Sequence, residues 1–182
     1  MSCASRIDAA SSPRGLVCHG SLMDEANWER RLELLWTSID ERHEDDFLAA
    51  MKDLVAELPA DDPVGLFEQA SAFDSTGHPD LAVGRYREAL ERGLPGQRRR
   101  RAVIQLASTL RNLGQPEESV ALLTAELDAG SDDLDDAVRA FLALALTSVG
   151  RERGAVSLAL TALAPHLTRY NRSLAAYARE IA

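Results

Sequence analysis

A chain of 182 residues is long enough for one domain or a short repeat array, and too short for two ordinary domains with a linker. Alanine (29) and leucine (27) far outnumber valine, isoleucine and threonine combined (20), which excludes a β-rich fold. A net charge of −9 with a pI near 4.9 argues against nucleic acid or an anionic membrane as the main partner.

Residues 1–23 mix Ser, Gly, Pro and Ala without period and predict a disordered lead. Met23 stands directly before the first periodic segment and is an alternative start. Both cysteines, Cys3 and Cys18, lie in this lead without CxxC spacing, so neither a disulfide framework nor a metal site is expected, and a reducing, cytoplasmic setting fits. The richest apolar run, Phe141 to Leu146, is far too short to span a membrane.

From residue 24 the apolar spacing is helical. Trp28, Leu32, Leu35, Trp36 and Ile39 form one stripe, and Phe47, Leu48, Met51, Leu54, Val55 and Leu58 form another. The two helices predict a capping hairpin over 24–62. It carries 13 of the chain's 29 acidic residues against 4 basic ones, so the acidity is local. Its outer face, His43-Glu44-Asp45-Asp46 included, reads as a solubilising surface, since no calcium-loop spacing is present. Asp62-Pro63 then predicts an N-cap followed by proline at the first helical position, and Gly77 a helix end. His78-Pro79-Asp80 starts the next helix, and Gly114-Gln115-Pro116-Glu117 repeats that punctuation.

Aligned on Gly77, Gly114 and Gly150, residues 63–182 contain three helix pairs. Residues 63–96 resemble one tetratricopeptide repeat. Its small helix-contact positions match Ala70, Ala82 and Ala89, its bulky positions Phe73 and Tyr86, its turn Gly77, and its closing proline Pro95. The second unit resembles the pattern through Leu106, Ala107, Leu110, Gly114, Ser119 and Leu123, and departs from it at Glu126, where a small residue is expected. The third resembles it through Leu142, Ala143, Leu146, Gly150, Ala155, Ala162 and Pro165, but Ala159 stands where a large side chain is expected. The aromatic expected early in each first helix is replaced by Leu66, Val103 and Arg139. A last helix, about 169–181, would cover the open end of the stack. The resemblance, to a divergent bacterial member of the family, implies an all-α right-handed solenoid of about three hairpins with capping helices. The function it implies is non-catalytic: an adaptor or scaffold binding a peptide or partner helix.

In such a stack the first helix of each pair lines the concave face. That places Ser71, Asp74 and Ser75 there from unit one, Arg101, Gln105, Ser108, Arg111 and Asn112 from unit two, and Ala140, Leu144, Thr147 and Ser148 from unit three, with Arg169, Arg172 and Arg179 added by the last helix. Arginine, asparagine and serine at the centre of an acidic protein suit an acidic peptide or a carboxylate. The run Arg98 to Arg101 falls at a helix N-terminus, where cations oppose the dipole, so pairing with nearby acids such as Asp132 and Asp133 is expected. A phosphate or nucleic-acid contact through that run is the lesser reading. Self-association through Trp28, Trp36 or the Leu/Ala face of unit three is the other alternative, leaving the chain a monomer or a homodimer. His19, His43, His78 and His166 form no zinc or nucleophile pattern and the glycines form no phosphate loop, so no enzyme activity, cofactor or metal is expected.

Overall fold

A computed structural model describes the backbone of residues 19–181 and the side chains of residues 24–181. The expected lead falls mostly outside these residues, but the first helix, α1 (His19–Thr37), already begins within it. A single 3-10 turn (Ile39–Glu41) leads to α2 (Glu44–Val55). Three helix pairs follow: α3 (Pro63–Ser75) with α4 (Pro79–Glu91), α5 (Gly96–Asn112) with α6 (Pro116–Ala129), and α7 (Asp135–Ser148) with α8 (Glu152–Leu163). A 3-10 turn (Ala164–His166) precedes α9 (Asn171–Ile181). The described residues contain no strand, and the architecture is an all-α solenoid.

The turns follow from local chemistry. Asp62 accepts from Val64 N at 2.8 Å and Gly65 N at 3.3 Å, and Pro63 supplies a preset φ without an amide that would go unsatisfied. Gly77, Gly114 and Gly150 adopt φ of +83°, +79° and +72°, and the next residue closes the same bond back over the helix end each time: His78 N to Phe73 O, Gln115 N to Leu110 O, Arg151 N to Leu146 O. Unit three lacks the proline after its glycine and makes the same turn, because the left-handed glycine carries the geometry.

Three apolar clusters run along the stack. The first joins α1 and α2 through Trp28, Leu32, Leu35, Phe47, Met51 and Leu54, and reaches Ala72 of α3. The second places Phe67, Ala70, Ala82, Tyr86 and Ala89 under Ala102, Leu106 and Leu110 of α5. The third places Ile104, Ala107 and Leu123 under Val138, Leu142 and Ala145 of α7, with Ala155 of α8 behind them. The alanines at 70, 82 and 89 are wholly buried, as close helix approach requires, and Tyr86 beside them fills the gap. First helices touch in succession, α3 with α5 and α5 with α7, whereas the second helices are not packed on one another in this way. The stack therefore curves towards its first helices, and α3, α5 and α7 line the inner side.

Candidate functional site

The centre of the inner side is α5, and its four consecutive arginines are disposed of differently. Arg98 donates to both oxygens of Glu29 on α1 at 3.0 and 2.6 Å and to Glu68 on α3 at 3.0 Å; Glu68 also accepts from Trp36 Nε1 at 2.9 Å. Arg99 bonds to Glu126 on α6 at 2.7 Å. Arg100, 6% exposed, meets Asp132 and Asp135 at the start of unit three at 2.9 and 2.7 Å. Glu68 and Glu126 are themselves almost fully buried, which is tolerable only because guanidinium groups neutralise them. The run thus offsets the dipole it opposes and ties α5 to α1, α3, α6 and α7. It does not form a free basic patch. Asp132 pairs as expected, while Asp133 accepts instead from Gln97.

Glu126, the departure from the repeat pattern, is explained by this network: a carboxylate takes the small residue's place because two cations face it. Asp135 is held below the ordinary carboxylate range by the Ser131 hydroxyl, the Asp132 backbone N–H and the Arg100 charge.

Arg101 is different. It is exposed, has no carboxylate partner among the described residues, and lies over the Phe67 ring at 5.3 Å. It borders an open cavity of about 630 Å³ between α1, α3 and α5, lined also by Arg30, Glu33, Trp36 and Arg98. Further along α5, Gln105 accepts from Ser71 Oγ at 3.3 Å and is half-buried, Ser108 is half-buried, and Asn112 is exposed. Arg111 donates one terminal nitrogen to Asn112 at 2.9 Å, while its Nε is buried with no partner. Thr147 on α7 is exposed and bonds back to Leu144 O.

Not every expected groove residue faces the inner surface. Ser71 is 3% exposed and serves the α3–α5 seam, where the Tyr86 hydroxyl lies 3.5 Å from it. Burial pushes the Tyr86 phenol well above its ordinary value and raises the half-buried Asp74 carboxyl, an effect the Thr109 and Tyr86 hydroxyls partly counter at Asp74. Arg169, Arg172 and Arg179 are exposed, but α9 packs on α8 and the turn before it, so they are not brought beside the α5 row.

The last helix also does not close the stack. Ser157 Oγ donates to Ala178 O at 2.6 Å, and Ala178 is fully buried against α8. The counterparts of Ser157 in the earlier units, Gly84 and Ala121, are exposed. By docking on this other side of α8, α9 leaves Ala159 exposed, along with Leu144, Val156 and Leu163 at 46%, 46% and 48%. Trp28 and Trp36, candidates for a self-association surface, are instead engaged within the chain: Trp28 Nε1 donates to Leu54 O at 2.9 Å and Trp36 packs on Phe47 at 5.3 Å. No helix among the described residues is long and apolar enough to cross a membrane.

The chain is similar in fold to a solved structure described as the crystal structure of MamA protein, with a TM-score of 0.57 and 18% identity, covering 78% of this chain and 74% of that one. No curated protein matches the sequence. Residues 63–181 match the family model described as tetratrico peptide repeat, a family whose general role is protein–protein interaction. The match begins at the Asp62-capped helix and runs through all three glycine turns and α9, so the chain belongs to the tetratricopeptide repeat family.

Proposed function

We propose that this chain is a non-catalytic adaptor whose inner row on α5, Arg101, Gln105, Ser108, Arg111 and Asn112, with Thr147 beside it on α7, receives an acidic peptide or partner helix. The observation that carries the reading is Arg101. Its three neighbours are consumed by carboxylates of this chain, while it stands exposed over Phe67 at the mouth of an open cavity. A guanidinium held against a ring is preorganised for a carboxylate, and rigid stacked helices order the surface before binding.

The test is binding of a fluorescent library of acidic, neutral and basic peptides to the whole chain, with Arg101→Glu/Arg111→Glu and Arg172→Glu run beside the wild type. Acidic peptides should bind the wild type and Arg172→Glu alike, more weakly as salt rises, and should be lost from the double variant at unchanged helicity. Equal binding by the double variant would remove the groove reading and turn attention to the acidic hairpin.

A further inference from the structure

Each unit builds a seat for the first helix of the next unit. In unit one four equivalent positions hold Phe67, Ala70, Ala82 and Tyr86, all fully buried beneath α5. In unit two they hold Ile104, Ala107, Ser119 and Leu123, all buried, with Ile104, Ala107 and Leu123 in the cluster under α7. The pattern is two bulky corners around two small residues, and the helix that lies on it presents an apolar stripe: Ala102, Leu106 and Leu110, or Val138, Leu142 and Ala145. In unit three the same positions are Ala140, Ala143, Ala155 and Ala159. Both bulky corners have become exposed alanines, and the four line an apolar trough of about 400 Å³ together with Leu144 and Val156.

From this repetition we infer that the trough between α7 and α8 is a docking seat for an amphipathic helix of a partner protein, one whose central position is bulkier than the leucine used inside the stack. A helix is the occupant because the same backbone seat is filled by a helix twice in this chain. The bulk follows from volume: where the seat gives up Tyr or Leu for Ala, the incoming side chain must fill the space to regain the lost contacts. By register α9 is the successor of α7, with Leu174 and Ala178 one repeat beyond Val138 and Leu142, yet it is bonded to the Ser157 side of α8. Among the described residues a second copy offers no free stripe of the kind required: exposed large apolar residues are isolated there, apart from those at this same trough and Tyr170 and Tyr177 at α9. The trough shares Thr147 with the groove proposed above, but its alanines belong to unit three and the α5 arginines to unit two, so either can fail alone.

The probe is a labelled synthetic peptide of residues 131–149, the helix that fills the equivalent seat, made with the natural Leu142 and with Leu142→Phe. Fluorescence anisotropy against the whole chain should show saturable binding, several-fold tighter for the phenylalanine peptide. Val156→Arg and Ala159→Arg, both at exposed positions, should each abolish it, while Leu81→Arg leaves it unchanged. No saturable binding by either peptide, or equal binding by Ala159→Arg, overturns the inference. So does a dimer in sedimentation that Val156→Arg dissociates, because the seat would then be covered by a second copy. Because the peptide is itself acidic, binding that Arg101→Glu/Arg111→Glu removes and Ala159→Arg keeps belongs to the α5 row and likewise overturns the inference.

Discussion

The two ends of the stack both carry amphipathic helices, and only the N-terminal pair closes its end. At the N-terminal end α1 and α2 bury Trp28, Phe47 and Met51 against one another and reach Ala72 of α3, and Glu29 adds an ion pair to Arg98 of α5. At the C-terminal end one helix, α9, rests on a side of α8 that earlier units leave exposed, with Ala178 its one fully buried side chain. An apolar stripe is therefore not sufficient for a cap. Side-chain volume at the seat decides whether the stack is sealed, and the alanines at 140 and 159 leave it open.

The sharpest way to break this contrast is to truncate one anchor at each end. Phe47→Ala removes a fully buried ring and should cost about 3–5 kcal/mol, whereas Leu174→Ala, half-buried on α9, should cost about 1 kcal/mol. Urea midpoints at constant slope measure both, and equal losses would show that α9 seals the stack as firmly as the hairpin does.

Next in size is the network at the middle. Glu126→Ala would restore the small residue usual at that position, and should nevertheless destabilise by about 1–2 kcal/mol, because Arg99 loses its partner while the buried Arg100 keeps Asp132 and Asp135. A gain in stability would mean that the network serves specificity alone.

Overpacking gives a contrast of similar size. Ala89→Leu inserts bulk at a wholly buried helix contact and should cost about 1–3 kcal/mol; Ala159→Leu, at the exposed corner, should change stability by less than about 0.5 kcal/mol. Thermal melts of the two variants compare them directly.

The smallest effects are in pH dependence, and their signs oppose. The folded-state pKa of Asp74 is raised by burial, so its contribution to stability is present below the ordinary carboxylate value and is lost as pH rises through the folded value. Asp74→Asn should melt higher than the wild type at pH 7, with the difference vanishing below about pH 3.9. Asp135 is lowered, so its contribution is present at neutral pH and disappears as pH falls through its folded value; Asp135→Asn should melt lower at pH 7 and converge with the wild type in acid. Melting curves across pH 3–7 that move together for the two variants would contradict both environments.

Much of the fold was legible because its signals are local. Asp62-Pro63 and the glycines at 77, 114 and 150 act within a few residues of themselves, and the buried alanines recur at helical spacing inside one repeat. The candidate site was legible only in part. Arg101, Gln105 and Asn112 follow from the repeat register, but Glu29 lies 69 residues before the Arg98 it binds, and no spacing rule connects them. Ser71 read as surface because it is polar, and proved buried because Gln105 of the next unit offers it an acceptor. The hints of the network were Glu126, a charge standing where the pattern wants a small residue, and the arginine run at a helix N-terminus, which called for acids such as Asp132.

The sequence by itself determined the helices, their turns, the period of the repeat and the acidic and arginine-rich segments, because φ preferences, capping groups and apolar spacing all operate along the chain. Which carboxylate each arginine meets, and which side of α8 receives α9, was decided only by the tertiary structure. Those outcomes depend on distances and volumes between residues far apart in sequence: a buried charge must find its partner across a helix interface, and a helix settles where side-chain packing is densest. The open seat on α7 and α8 is the result of that second decision.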